Sequence, residues 1–303
     1  MNKIFIFGGT GSLGKELISK YRNEDVIVYS RDEAKHWKIK NIFPNITSVI
    51  GDVRDHDSVY KSLLKHKPNI IIIGHAMKQV DTCEYNPEES IKTNINGVLN
   101  IINSINILNY KPECVCFIST DKACSPINVY GLCKSISEKL IINQSNDATK
   151  WVCVRYGNVL TSTGSILPLL IEQSKNCNEF TLTNKDMTRF IMYLEEAVAL
   201  IDYAINFGNS GDIIVPKLKS MKIIDLLEIF SEKYNKPIIN IGTRVGEKLH
   251  ECMISELESN NLLESNLYFS INKKYKSNIN AEYSSRYNLI DKESLKELIY
   301  KVI

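Results

Sequence analysis

The opening of the chain limits its fold more than any other stretch. Lys3-Ile4-Phe5-Ile6-Phe7 is an apolar run suited to a buried strand, and Gly8-Gly9-Thr10-Gly11-Ser12-Leu13-Gly14 follows it directly. A helix-length segment, residues 13–21, comes next. Gly9, Gly11 and Gly14 have the spacing G-x-G-x-x-G, and Gly8, Gly11 and Gly14 the spacing G-x-x-G-x-x-G. Between a strand and a helix, such glycines allow a tight turn and let backbone approach a pyrophosphate at the positive helix end. The pattern predicts a dinucleotide site with Gly8, Thr10, Gly11, Ser12, Leu13 and Gly14 as contacts.

The first 150 or so residues alternate short apolar runs with helical stretches. Candidate strands cover residues 4–7, 26–29, 47–50, 70–73, 115–118 and 152–156, and helices residues 13–21, 55–65 and 86–109. This alternation predicts an α/β fold, a Rossmann-type doubly wound parallel sheet over residues 1–157. Residues 158–303 are more mixed, with helices expected at 195–206 and 223–233 and a strand at 212–216. They read as a smaller substrate-binding region, interleaved with the core at a soft boundary. A chain that is 44% hydrophobic and 24% charged can bury such a core, and its net charge of +2 gives no broad basic field for nucleic acid. No apolar run approaches the ~18 residues that span a bilayer. With no signal-peptide layout either, a cytoplasmic protein is expected. The eight cysteines show no C-x-x-C and no zinc spacing, so reduced thiols and no metal are expected.

Two further positions refine the nucleotide reading. After the second strand, where an acid would bond the ribose hydroxyls of NAD, stand Ser30 and Arg31. A serine and an arginine favour a 2′-phosphate, so NADP is expected ahead of NAD. Asp52 and Val53 are placed to meet the adenine, and Ala76 and Lys78, after the fourth strand, to line the nicotinamide or substrate cleft.

The chemistry concentrates after the fifth strand. Thr120-Asp121-Lys122 puts an alcohol, an acid and a candidate base in one triplet, with Tyr130 and Lys134 close behind on one helix face. A lysine ammonium beside a phenol favours the phenolate, so the Tyr130 pKa is expected to fall. A tyrosinate can take a proton from a sugar alcohol while a hydride leaves. The bland alternative makes Asp121 a capping acid and Lys122 a solvated lysine.

These motifs resemble the extended short-chain dehydrogenase/reductase superfamily, and within it the soluble, inverting UDP-N-acetylglucosamine 4,6-dehydratases. The likeness covers nearly the whole chain. Besides the segments above it includes Met77-Lys78-Gln79-Val80, Lys92-Thr93-Asn94, Arg155-Tyr156-Gly157-Asn158-Val159 and Met187-Thr188-Arg189-Phe190. It continues through Arg244-Val245-Gly246-Glu247-Lys248-Leu249-His250-Glu251 and Glu282-Tyr283-Ser284-Ser285-Arg286. The resemblance implies that Tyr130, with Lys134 and Thr120, takes the C4 hydroxyl proton as hydride passes to NADP. It implies Lys122, with a lowered pKa, as base for C5, and Asp121, with a raised pKa, as acid for the C6 hydroxyl. Lys78, Asn158, Arg189, Arg244 and Glu247 are the implied contacts to UDP-N-acetylglucosamine, and a homo-oligomer from dimer to hexamer is implied. Asp-Lys in the triplet resembles the N-acetylglucosamine group, whereas glucose dehydratases show Asp-Glu. Thr161-Ser162-Thr163 departs from the usual Gly-Ser-Arg, which leaves sugar fine-specificity and C5 stereochemistry open. A UDP-sugar C4-epimerase and a non-catalytic NADP-binding regulator remain the rival readings.

Overall fold

The computed structural model describes residues 1–144, 148–162 and 164–301; Thr163 of the substrate-loop departure lies outside them. The first half supplies β1 (Lys3–Phe7), α1 (Ser12–Lys20), β2 (Asp25–Ser30), α2 (Glu33–Ile42), β3 (Thr47–Ile50) and α3 (His56–His66). It continues with β4 (Ile70–Ile73), α4 (Val80–Tyr85), α5 (Pro87–Ile91), α6 (Gly97–Leu108), β5 (Cys114–Ile118), α7 (Val129–Ile142) and β6 (Lys150–Val154). These strands pair in parallel in the order β3-β2-β1-β4-β5-β6, the doubly wound arrangement expected from the alternation. Ile70–Ile73 and Cys114–Ile118 are buried at every position, because helices cover both faces of a parallel sheet.

The later residues add β7 (Asn158–Val159), α8 (Ile166–Asn176), β8 (Phe180–Leu182), β9 (Thr188–Met192), α9 (Leu194–Phe207) and β10 (Ile213–Pro216). Then come β11 (Ser220–Lys222), α10 (Ile223–Tyr234), β12 (Ile238–Asn240), β13 (Cys252–Ile254), α11 (Glu256–Ser259) and β14 (Leu262–Glu264). The chain closes with β15 (Tyr268–Ile271), β16 (Tyr283–Ser284) and α12 (Lys292–Tyr300). Strand β10 extends the main sheet beside β6 in parallel, and β15 and β14 follow antiparallel, making nine strands. A second apolar core lies among α8, α10, α12 and β8, where the Phe180 and Phe230 rings meet edge to face at 5.8 Å. Among the described residues no helix is long and apolar enough to cross a membrane. All eight cysteines carry free thiols, and those of Cys124 and Cys252 are hydrogen-bonded at 3.6 Å.

The single helix expected over residues 86–109 is interrupted. Residues Lys92–Asn96 form a π-turn between α5 and α6. Its buried Asn94 accepts the N–H of Met77 (2.8 Å) and donates to the Met77 carbonyl (2.9 Å), fixing the loop after β4. π-turns often re-aim a side chain at functional sites, and periodicity alone does not reveal them. The sixth strand also ends at Val154 rather than 156, leaving Tyr156 to line the cleft described below.

Candidate active site

The carboxyl ends of the parallel strands open into one cleft of about 1320 Å3, centred where strand order reverses between β1 and β4. Every residue assigned from sequence to the cofactor lines it, from Gly8 to Lys134. Helix α1 begins at Ser12 behind Gly11, which brings no side-chain cap, and its first turn holds no acid. A Cβ on Gly14 would lie 2.0 Å from the Gly9 carbonyl oxygen, so only glycine lets α1 start this close to the turn. The N–H groups at a helix N-terminus suit a pyrophosphate, and the residues present fit a dinucleotide.

At the outer end, Ser30 Oγ is hydrogen-bonded to Thr10 Oγ1 and to His36 Nε2, both at 2.9 Å. Arg31, Lys35 and Lys38 rim the cleft here. The neighbouring acid Asp32 is engaged: it caps α2 by accepting the Lys35 N–H (3.0 Å) and pairs with the Lys35 ammonium (3.3 Å). Asp52 is gripped by Arg54, whose Nη2 lies 2.6 Å away, and Arg54 reaches on to Glu89 at 2.7 Å. Ala76 and Lys78 line the inner wall, where desolvation lowers the Lys78 pKa.

The catalytic end is built on the turn after β5. Thr120 caps a 3-10 turn, Asp121–Ala123, and Gly131 lets α7 press against it, since a Cβ there would meet the Lys122 carbonyl oxygen at 2.3 Å. Asn128 caps α7 by accepting the Gly131 N–H (2.7 Å) and donates to the Gly246 carbonyl (2.8 Å). The cap thereby ties the helix carrying Tyr130 and Lys134 to the segment carrying Arg244 and Glu247. Thr120, Lys122, Tyr130 and Lys134 line the cleft, whereas Asp121 is fully buried behind them. Asp121 Oδ1 accepts from Thr120 Oγ1 (2.9 Å) and Lys122 Nζ (3.0 Å), and its Oδ2 has no partner. Burial pushes the Asp121 pKa up; Lys122 opposes this and Glu251 reinforces it.

Two electrostatic expectations are corrected. The Lys122 pKa is raised, not lowered: burial disfavours its charge, but the carboxylates of Asp121 and Glu251 outweigh burial and the opposing Arg189. The Tyr130 pKa is also raised, by burial first and then by Asp121, with only partial relief from a hydrogen bond to Thr120. Lys134 gives no compensating charge. Its ammonium sits 3.9 Å from the centre of the Phe117 ring, and burial pushes its pKa down to about 7.

Of the expected substrate contacts, Lys78, Asn158, Arg244 and Glu247 line the cleft. Glu247 accepts the Arg244 backbone N–H at 3.1 Å. Arg189 departs from expectation. It is buried behind Lys122, and its guanidinium donates to the carbonyls of Thr188 (2.7 Å), Leu249 (3.2 Å) and Lys248 (2.9 Å). It holds the segment before β13 in place rather than facing the cleft. Two acids with no role assigned from sequence also matter here. Glu251 Oε1 lies 3.3 Å from Lys122 Nζ, and Glu138 pairs at 2.6 Å with the buried Arg155. Both stand far in sequence from their partners, so only the late R-x-G-E element pointed toward Glu251.

A family profile described as "Polysaccharide biosynthesis protein" matches residues 4–273. The chain belongs to that family. It is 39% identical over 284 residues to the UDP-N-acetylglucosamine 4,6-dehydratase (inverting) of Campylobacter jejuni, covering 90% of this chain and 83% of that one. It is 38% identical over 270 residues to the UDP-glucose 4-epimerase of Rickettsia rickettsii, covering 84% and 78%. Among solved structures, Pen from Bacillus thuringiensis superposes with a TM-score of 0.93 at 33% identity, over 99% of this chain and 97% of that one.

Proposed function

We propose that this chain is a nucleotide-sugar dehydratase that converts UDP-N-acetylglucosamine to UDP-2-acetamido-2,6-dideoxy-L-arabino-hexos-4-ulose for glycan biosynthesis. One observation carries the reading. Lys122, lining the cleft, is flanked by the buried carboxyl groups of Asp121 and Glu251, an acid–base cluster that a C4-epimerase has no use for. The Campylobacter relative's name agrees with it.

In this reading Tyr130, once its phenol has lost its proton to solvent, takes the C4 hydroxyl proton as the phenolate, with Thr120 holding the phenolate oxygen. A bound nicotinamide would supply the hydride chemistry, acceptance from C4 and return to C6, with C5 reprotonated from solvent. Lys122 takes the C5 proton, which the 4-ketone has made acidic. Asp121, whose pKa burial raises, is the acid for the C6 hydroxyl, which leaves as water; Thr120, whose hydroxyl donates to Asp121 Oδ1 at rest, turns to accept that proton and passes its own to the leaving oxygen. Arg244 and Glu247 hold the UDP portion, a bidentate arginine being suited to phosphate. NADP is the preferred cofactor, supported by Arg31, Lys35 and Lys38 around Ser30, with Asp32 engaged as a cap and paired with Lys35. The working form is a homo-oligomer, supported by Leu132 and Ile136, exposed one turn apart on α7.

The test is NMR of the purified chain with UDP-N-acetylglucosamine and NADP in deuterated water. A 4-keto-6-deoxy product carrying deuterium at C5, with L-arabino couplings, is expected. A D-xylo product removes the inversion and keeps the dehydratase. Formation of UDP-N-acetylgalactosamine supports the second reading, a C4-epimerase, which the name of the Rickettsia relative favours.

A further inference from the structure

The acid–base cluster contains one member more than a simple acid and base require. Glu251 comes from the segment before β13, is almost fully buried, and directs Oε1 to within 3.3 Å of Lys122 Nζ. Its backbone N–H is anchored by Ser285 Oγ at 2.9 Å, and Ser285 is hydrogen-bonded to Thr188 Oγ1 at 2.8 Å. The backbone of residue 251 is therefore fixed, with Oε1 of its carboxylate facing Lys122. Lys122 sits between Asp121 Oδ1 at 3.0 Å and Glu251, with its amine the only one of the three groups lining the cleft. Every proton that the two buried carboxyl groups exchange with this amine crosses one of those two short contacts.

We propose that Glu251 is a positioning residue for the elimination: it holds Lys122 against Asp121 and takes up the proton that Lys122 must release before it can act as a base. This rests on the dehydratase reading given above. The protons balance over the step. An Nζ–H bond of Lys122 breaks and an O–H bond forms on Glu251, leaving a neutral amine. That amine takes the C5 proton and becomes an ammonium again, while Asp121 gives its proton to the departing C6 hydroxyl. The proton held by Glu251 then returns through Lys122 to Asp121, and the cluster regains its starting state with one water formed. The starting state follows from the surroundings. Asp121 and Lys122 are both pushed toward their protonated forms, and Glu251 is held ionised by Lys122, Arg189 and Lys248 against the effect of burial. The charged groups facing the cluster are Arg189 from β9, with Nε 3.9 Å from Glu251, and Lys248, with Nζ 3.9 Å from it. Tyr130 on α7 completes the set, since its phenol feels the Asp121 charge.

The experiment compares the full-length wild type with Glu251→Gln and Glu251→Asp. It reads dehydration kcat and KM across pH, alongside thermal unfolding. In Glu251→Gln, Lys122 must lose its proton to solvent. We expect kcat near neutral pH to fall roughly a hundredfold, the size of one lost acid–base partner, and to recover as pH rises, with KM nearly unchanged. Glu251→Asp, which keeps the carboxylate, should restore much of the neutral-pH rate. A Gln variant with wild-type kcat, or with the same fractional loss at every pH, overturns the proposal. If the Gln variant does not fold, Glu251→Ala, which also lacks the carboxylate, decides. A lowered kcat at constant KM that recovers with pH supports the role, and a wild-type kcat overturns it. A wild-type chain that forms no water overturns the dehydratase reading and this proposal together, an outcome distinct from failure of Glu251 alone.

Discussion

Replacing Arg155 with methionine tests how the catalytic helix is held. Arg155 is 1% exposed, and its five N–H groups make five hydrogen bonds. Nε and Nη2 bind Glu138 on α7 at 3.0 and 2.6 Å, Nη1 and Nη2 bind Glu258 on α11 at 3.0 Å each, and Nη1 also donates to the Met253 carbonyl at 2.7 Å. Methionine fills much of the stem volume but leaves two carboxylates without their cation, a loss of about 3–5 kcal/mol. Part of that cost depends on pH. Burial acts to raise the Glu258 pKa, yet Arg155, helped by Ser255, brings it from 4.5 down to about 2. A depression of that size contributes about 3 kcal/mol, and Arg155 accounts for most of it. Because the folded-state pKa is the lower one, this contribution is complete above the unfolded value of 4.5 and fades as pH falls toward 2. The cost of Arg155→Met should therefore shrink by about 1 kcal/mol between pH 7 and about pH 3.5. Urea unfolding of both proteins at the two pH values measures it. Near pH 7 the Tm should drop by roughly 6–15 °C. A cost below about 1 kcal/mol, or one that does not change with pH, refutes the charge-clamp argument.

Gly14→Ala should remove dinucleotide binding or shift α1, because the new Cβ would overlap the Gly9 carbonyl oxygen; calorimetric titration with NADP at wild-type affinity would contradict the close-packing argument. Lys122→Ala and Asp121→Asn should each lower dehydration by about 10²–10⁴-fold with NADP affinity retained, and wild-type turnover in either variant would remove that residue from the chemistry. Arg31→Glu should weaken NADP roughly tenfold or more relative to NAD, by repelling the 2′-phosphate and offering the ribose an acceptor. Unchanged preference in a competition assay would rule out Arg31 as the selecting group.

The parallel sheet was legible because its signals are local. The fully apolar runs at Ile70–Ile73 and Cys114–Ile118 and the glycines before α1 fall within a few residues of the structure they specify. What stayed hidden depends on distant partners. The break at Lys92–Asn96 arises because Asn94 turns to the backbone of Met77, a contact that no helical period encodes. The pKa directions of Lys122 and Tyr130 were misread for the same reason. The sequence displays the neighbours on the turn but not Glu251 from the far end of the chain, nor the Phe117 ring beside which Lys134 is buried. Arg189 reads as a ligand contact beside Thr188, yet in the fold its donors are consumed by backbone carbonyls.

The anchoring of Glu251 by Ser285 also bears on the order in which the protein is made. Strands β1–β6 and the glycine turn emerge from the ribosome first, and they already contain the groups that cradle a dinucleotide. A nucleotide captured at that point would favour the compact state of the unfinished chain by mass action. The Lys122 cluster stays incomplete until residue 251 has docked, and its support arrives only with β16. Synthesis from the N-terminus thus separates loading of the nucleotide from onset of proton transfer, and a nascent chain can use the first to aid its folding before it acquires the second.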